Sequence, residues 1–402
     1  MSIKNRELRI LFITNFDLGL PGGELVCLVN LANSLAKRGN QVLFLAPLPR
    51  GIRMKPQKCL FVPCIRRRYI RYLTFILLYP FYLLYALFSF RPNIIIQRGS
   101  DVFSYFIAYL FSKTLKIPIC LFHGWIPPRR FPFKWNLNYL LYYLHWLAWK
   151  HSFLIVQHNC PAEVERYANN ESFPLSRLVI YDGPALDPAI FFPMDREKAR
   201  ENLGLPKESY ILLFTASEGG AGNYNYEIMP RALKRIISKY PNSLLIIAGD
   251  IHRLYKKSFL KLIEEEGISQ RVFITGYLSP EKLNLYINAS DICLLPLSRK
   301  HLEESKISWA TKIWEYFGCA KPVIKSDLEE CWTYEWFKDI SLIVPPDDEE
   351  SLAQAIIQLL ENPSLRKDLG ERAYRWTLEN HTWDKRAEKI ERFLKGLVRE
   401  RK

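Results

Sequence analysis

Several common signatures are missing from this sequence. Eight cysteines lie at positions 27, 59, 64, 120, 160, 293, 319 and 331, with no Cys-x-x-Cys pair and no companion histidine spacing. That distribution argues against a zinc site and against a disulfide framework. No Gly-x-Gly-x-x-Gly follows the first apolar strand and no Walker lysine loop is present. Nicotinamide-cofactor and P-loop chemistry therefore lack their usual phosphate cradle. No Asp-x-Asp is present. The opening residues, MSIKNRELRILFIT, carry charges where a signal peptide needs an unbroken apolar core. The expectation is a chain that stays in a reducing cytoplasm. Acidic residues are scarce in the first half: up to residue 190 there are 9 Asp/Glu against 23 Lys/Arg, whereas the remainder balances 32 against 33.

What is present is the composition of a folded protein. Of 402 residues, 49% are apolar and 24% charged, with 18 Gly and 25 Pro spread along the chain. That length predicts two to three domains, each large enough for its own core. The excess positive charge comes with aromatics, in RRRYIRYLTFILLYPFYLLYALFSFR at 66–91 and WIPPRRFPFKWNLNYLLYYLHWLAWK at 125–150. Such mixtures suit a phospholipid surface or single-stranded nucleic acid. Membrane fits better, because these aromatics sit in apolar runs beside Leu and Ile, whereas nucleic-acid stacking platforms space them in a polar surface. From Tyr72 to Phe90 no residue is charged, which reaches the length of a membrane span. The segments 8–14 and 93–97 on either side read as strands of one sheet, and a single crossing would separate them. An interfacial helix, a core helix and a span are the three readings, in that order of preference.

Short apolar runs alternate with stretches of helical period throughout, the pattern of parallel sheets covered by helices. The first series runs 8–14, 41–46, 93–97, 118–123, 153–157 and 178–181. After YDGPALDPAIFFPMD at 181–195 a second runs 210–216, 243–249, 271–276, 292–297, 321–326 and 341–345. The expected fold is α/β: two Rossmann-like domains facing across a cleft, over 1–186 and 187–382, with a C-terminal helix at about 383–402 packing back onto the first. A ligand is expected at the carboxyl ends of the strands.

Three blocks carry a family resemblance. RILFITNFDLGLPGGELVCLVNLANSLAKRGNQVLFLA, the linker IYDGPALDPAIFFP, and FITGYLSPEKLNLYINASDICLLPL with TKIWEYFGCAKPVIKSD resemble GT-B glycosyltransferases, and more narrowly family four, the retaining nucleotide-sugar enzymes. The resemblance covers nearly the whole chain. It implies transfer of a sugar from a nucleotide-diphosphate donor, a co-substrate rather than a cofactor, held by the second domain. The acceptor, a lipid-linked glycan or a polysaccharide end, would be held by the first domain on an anionic membrane surface at the inner face of the cell membrane. No nucleic-acid partner and no metal are expected.

The resemblance also implies roles for particular residues. Glu315 matches the second Glu of the family's Glu-x7-Glu motif, which accepts hydrogen bonds from the donor's ribose hydroxyls; a carboxylate suits a vicinal diol because each oxygen accepts one O–H. The alternative is a solvated helix-face Glu. Ser308 stands where the first Glu usually lies, and Lys312, three residues before Glu315, matches a subgroup lacking that Glu. A lysine near a helix N-terminus suits phosphate. The family's Arg and Lys against the leaving diphosphate fall near Ser217 and Tyr224 here, neither basic. What remains is Gly219, Gly220, Gly222 and Asn223, either a backbone cradle for an anion or an ordinary loop. In the first domain Gly22 and Gly23 follow the first strand, as a close approach to sugar or phosphate or as a tight turn. His123 ends a strand at the same rim, beside the donor sugar or as a structural histidine. Asp291 and Asp327 read as braces of local turns. The rival function is a non-catalytic nucleotide-sugar or glycan-binding subunit. An epimerase on this fold would need an acid/base carboxylate pair that the sequence does not offer, and a basic nucleic-acid binder is the remaining reading.

Overall fold

The computed structural model describes residues 7–19, 23–51, 56–65, 67–98, 102–123, 150–157, 175–181, 183–216, 223–305, 310–331 and 333–399. The chain divides into two compact units, Met1–Gly183 with Trp383–Lys402, and Pro184–Thr382.

The first unit is built on seven parallel strands: β1 (Arg9–Thr14), β2 (Gln41–Pro47), β3 (Cys59–Val62), β4 (Ile94–Arg98), β5 (Ile119–His123), β6 (Phe153–Gln157) and β7 (Leu178–Tyr181). Their order in the sheet is β3-β2-β1-β4-β5-β6-β7. Central strands such as RILFIT and IIIQR are buried along almost their whole length, as a sheet covered on both faces requires. The edge strand β3 was not anticipated. Its four residues lie between Pro56 and Pro63, too short a run for a period to register.

The uncharged run at 72–90 lies inside the helix Arg68–Phe90. This helix connects β3 to β4 within one sheet, so it covers the sheet face rather than separating strands. Phe75, Tyr79, Leu83 and Ala86 enter the core, and Tyr79 Oη donates to the Ser104 carbonyl at 3.3 Å. The helix Gly23–Lys37 meets the last helix, Trp383–Arg399, through Arg38, which pairs with Asp384 at 3.0 Å and Glu391 at 2.8 Å. Asn40 closes that contact: its amide donates to Glu391 Oε1 at 3.1 Å while its oxygen accepts from Leu8 N–H at 3.2 Å. In the loop after β1, Asp17 gathers Gly19 N–H, Arg50 N–H and the Arg71 guanidinium.

The second unit has six parallel strands: β8 (Tyr210–Thr215), β9 (Ser243–Ala248), β10 (Val272–Ile274), β11 (Ile292–Leu295), β12 (Val323–Ser326) and β13 (Leu342–Val344), in the order β10-β9-β8-β11-β12-β13. Asp291 does more than brace a turn. It holds Arg200, fully buried on the helix Arg196–Leu203, at 2.7 Å, accepts from Ile211 N–H at 2.7 Å, and pairs with Arg196. Arg200 spends its remaining donors on the carbonyls of Ala289, Pro206, Lys207 and Ser209. One buried guanidinium thus ties the helix to the starts of β8 and β11. Asp327 pairs with the buried Lys325 and accepts from Leu328 N–H at 2.9 Å.

Candidate active site

The site in the second unit forms where β8 ends and the helix Thr311–Gly318 begins. Two contacts seat this helix. On one side Thr215 N–H, the last of β8, donates to Tyr316 Oη at 2.7 Å. On another, Trp314 stacks on His381, ring centroids 4.4 Å apart, and His381 in turn lies 4.3 Å from Trp376. Gly318 permits the close approach at the helix end, because a Cβ there would lie 2.3 Å from Leu186 Cδ1.

So seated, the helix places Lys312 over two aromatic rings. Its Nζ lies 4.3 Å from the centroid of Phe214, in β8, and 3.8 Å from that of Tyr224. Tyr224 is fixed by pairing with Leu297 after β11, beside Asn223, whose carbonyl accepts from Ser298 N–H at 2.9 Å, and Asn225, whose N–H donates to Pro296 O at 2.9 Å. The Lys312 ammonium is buried and has no hydrogen-bond partner among the described residues. Burial pushes its pKa down to about 7 from 10.5, with Glu315 pulling the other way. Glu315, one turn further along and half-buried, is pushed up to about 7 from 4.5 by the same desolvation, with Lys312 opposing. Tyr226, edge-on to Phe214 and stacked on Tyr255, extends the aromatic wall.

An ammonium without an acceptor in an apolar, aromatic setting is a costly arrangement. The ring faces favour the cation by their quadrupoles, and among the described residues no acceptor takes its three N–H donors. The end of β9 packs tightly against the backbone that follows β8. Gly249, at φ +121°, has its N–H on Thr275 Oγ1, and a Cβ there would lie 2.1 Å from the Ala216 carbonyl.

Of the residues singled out from the sequence, the structure brings together Lys312, Glu315 and Asn223 around β8 and β11. Gly23 begins the helix after β1, and His123 ends β5 in the first unit. Gly22, Ser308, Gly219, Gly220 and Gly222 lie outside the described residues, as does Ser217. Phe214, Tyr224 and Tyr226 are the members that sequence reasoning did not assign. The alternation of tyrosines in NYNYE directly after the glycine run was the available signal.

Residues 195–376 match the family model described as glycosyl transferases group 1. Among curated proteins, the chain is 26% identical over 226 residues to D-inositol 3-phosphate glycosyltransferase of Acidothermus cellulolyticus, covering 54% of this chain and 48% of that one. It spans less than half the length of the curated relatives it matches. Among solved structures, sucrose-phosphate synthase from Thermosynechococcus elongatus superposes with a TM-score of 0.71 at 17% identity, over 98% of this chain and 100% of that chain. Anabaena HepE in complex with UDP gives 0.70 at 15%, over 96% and 99%. The two parallel-sheet α/β units have the fold of these GT-B glycosyltransferases, and the group 1 match across the unit that holds Lys312 and Glu315 supports a glycosyltransferase.

Proposed function

We propose that this chain transfers a sugar from a nucleotide-diphosphate donor, bound in the Pro184–Thr382 unit, to a lipid-linked or polysaccharide acceptor at the cytoplasmic face of the membrane. Transfer retains the anomeric configuration, as in family four, and uses no metal. The observation that carries the reading is the buried Lys312 ammonium within the group 1 segment, which has no hydrogen-bond partner among the described residues.

Lys312 donates to the diphosphate oxygens and offsets the negative charge that grows on the leaving group as the bond from the anomeric carbon breaks. Glu315 accepts from the ribose diol, which fixes the nucleotide and with it the register of the diphosphate on Lys312. The acceptor hydroxyl forms the new bond to the anomeric carbon and passes its proton to the departing diphosphate oxygen. His123, Gly22 and Gly23 are assigned to the sugar side of the site, and Ser308, Gly219, Gly220, Gly222 and Asn223 to the donor side. In this reading charge neutralisation falls to Lys312, backbone N–H groups and helix N-termini.

One observation favours the rival reading of a non-catalytic binding subunit: Tyr224 stands near where the resemblance places a lysine, and its ring lies under Lys312 rather than adding a cation of its own. The two readings separate in one experiment. A panel of nucleotide sugars is screened by thermal shift, with UDP as first probe, and donors that stabilise are incubated with membrane extract. Appearance of a glycosylated product with release of nucleoside diphosphate is the expected result. Stabilisation without turnover establishes the binding subunit, and no stabilisation by any nucleotide overturns both.

A further inference from the structure

The helix Arg68–Phe90 has two apolar faces, and the core uses only one of them. Leu73, Leu77, Phe81, Tyr85 and Phe88, spaced by four or three residues and so aligned along one side, are 59–68% exposed. The helix that packs beside it, Val102–Thr114, adds Phe103 and Leu110, also exposed. An apolar stripe of this size on a free surface marks a binding face.

Charge selects the occupant. Between residues 25 and 100 there are twelve Lys/Arg and no Asp or Glu. Arg67 and Arg91, exposed, stand at the two ends of the helix. A second copy of this chain would set the same cations against one another, whereas an anionic lipid surface takes apolar side chains and cations together. The mode is settled by topology: β3 and β4, which the helix joins, belong to one sheet, so the helix lies along the surface and cannot cross it. We propose that the Leu73–Phe88 stripe of this helix docks in the plane of an anionic phospholipid surface, with Arg67 and Arg91 at headgroup level. This deepens the membrane-face part of the function proposed above and does not depend on donor chemistry.

The test is co-sedimentation of the full chain with vesicles of phosphatidylglycerol and phosphatidylcholine against phosphatidylcholine alone. The expected result is binding to the anionic vesicles, weakened by salt, and lowered at least tenfold in the double variant Leu77→Ser/Phe81→Ser. Both side chains are exposed, and an unchanged melting temperature verifies the fold of the variant. Arg67→Glu/Arg91→Glu should weaken binding to the anionic vesicles and reduce its salt sensitivity. A wild-type chain that stays in solution with anionic vesicles overturns the proposal, as does equal binding by the apolar double variant. Self-association abolished by that variant, without vesicle binding, assigns the face to a second copy instead. Resistance to alkaline carbonate extraction from membranes would mean a span. UDP-induced stabilisation, measured without vesicles, reports the donor site separately, so failure of docking and failure of the transferase reading are distinguishable.

Discussion

Replacing Lys312 by methionine should make the unliganded protein more stable and the liganded protein scarcer. The substitution keeps the apolar stem over Phe214 and Tyr224 and removes the charge. Lowering the Lys312 pKa from 10.5 to about 7 corresponds to a ceiling of about 5 kcal/mol of desolvation cost at neutral pH. The ring faces return about 2 kcal/mol of that to the cation. Removing the ammonium also raises the cost of an ionised Glu315, so a gain of about 2 kcal/mol remains, roughly 4–8 °C in melting temperature for a domain of this size. The gain must depend on pH in one sense. Between about 7 and the ordinary lysine value the unfolded chain binds the proton that folded Lys312 gives up, so wild-type stability rises with pH there and the advantage of methionine shrinks. Differential scanning fluorimetry from neutral to alkaline pH measures this, and isothermal titration with UDP measures the loss of affinity. A charge-assisted contact worth about 1.5–3 kcal/mol predicts weakening of tenfold or more. A methionine variant that melts lower than wild type and binds UDP unchanged would refute the reasoning.

Affinity for UDP should fall as pH rises above about 7, by up to about one log unit per pH unit, because a bound diphosphate raises the Lys312 pKa and binding takes up a proton; Lys312→Arg, measured by the same titration, should flatten the dependence. Glu315→Ala should weaken UDP binding more than about tenfold, the loss of two accepted hydrogen bonds, while a 2′,3′-dideoxy nucleotide should bind variant and wild type alike. Arg200→Met leaves Asp291 short of its buried partner and should cost about 3 kcal/mol in urea unfolding, with no change in the pH dependence of UDP binding. Transfer activity on a matched donor and acceptor should survive chelator; activity that vanished and returned with manganese would place a metal in the mechanism.

Much of the fold is legible in the sequence because buried parallel strands write themselves as uninterrupted apolar runs. RILFIT, IIIQR and ICLL need no partner to be recognised, and both sheets take most of their strands from such segments. Legibility fails where an element borrows its stability from elsewhere. CLFV at 59–62 is a strand only because β2 supplies its hydrogen bonds. Asp291 suggests a local turn, yet its partners Arg196, Arg200 and Ile211 come from a distant helix and strand. The period of the helix Arg68–Phe90 does not say which face is core, since aromatics line both; Tyr79 enters the core while Phe81 remains 68% exposed.

The candidate site divides in the same way. Lys312 and Glu315 are readable because both sit on one short helix at a fixed spacing, whereas the rings under the ammonium come from β8 and from the segment paired with Leu297. Those rings change how the missing basic residues are understood. A fully ionised carboxylate in hydrogen-bond contact with Lys312 would hold its charge and also quench it, whereas Glu315 lies one turn away and burial pushes its carboxyl towards the neutral form. An aromatic face attracts the cation through its quadrupole and carries no net charge, so the positive charge remains available to an arriving anion. Tyr224 in the place of a lysine therefore contributes no cation of its own and supports that of Lys312. Because the same burial depresses the Lys312 pKa, a diphosphate bound as proposed would be taken up together with a proton.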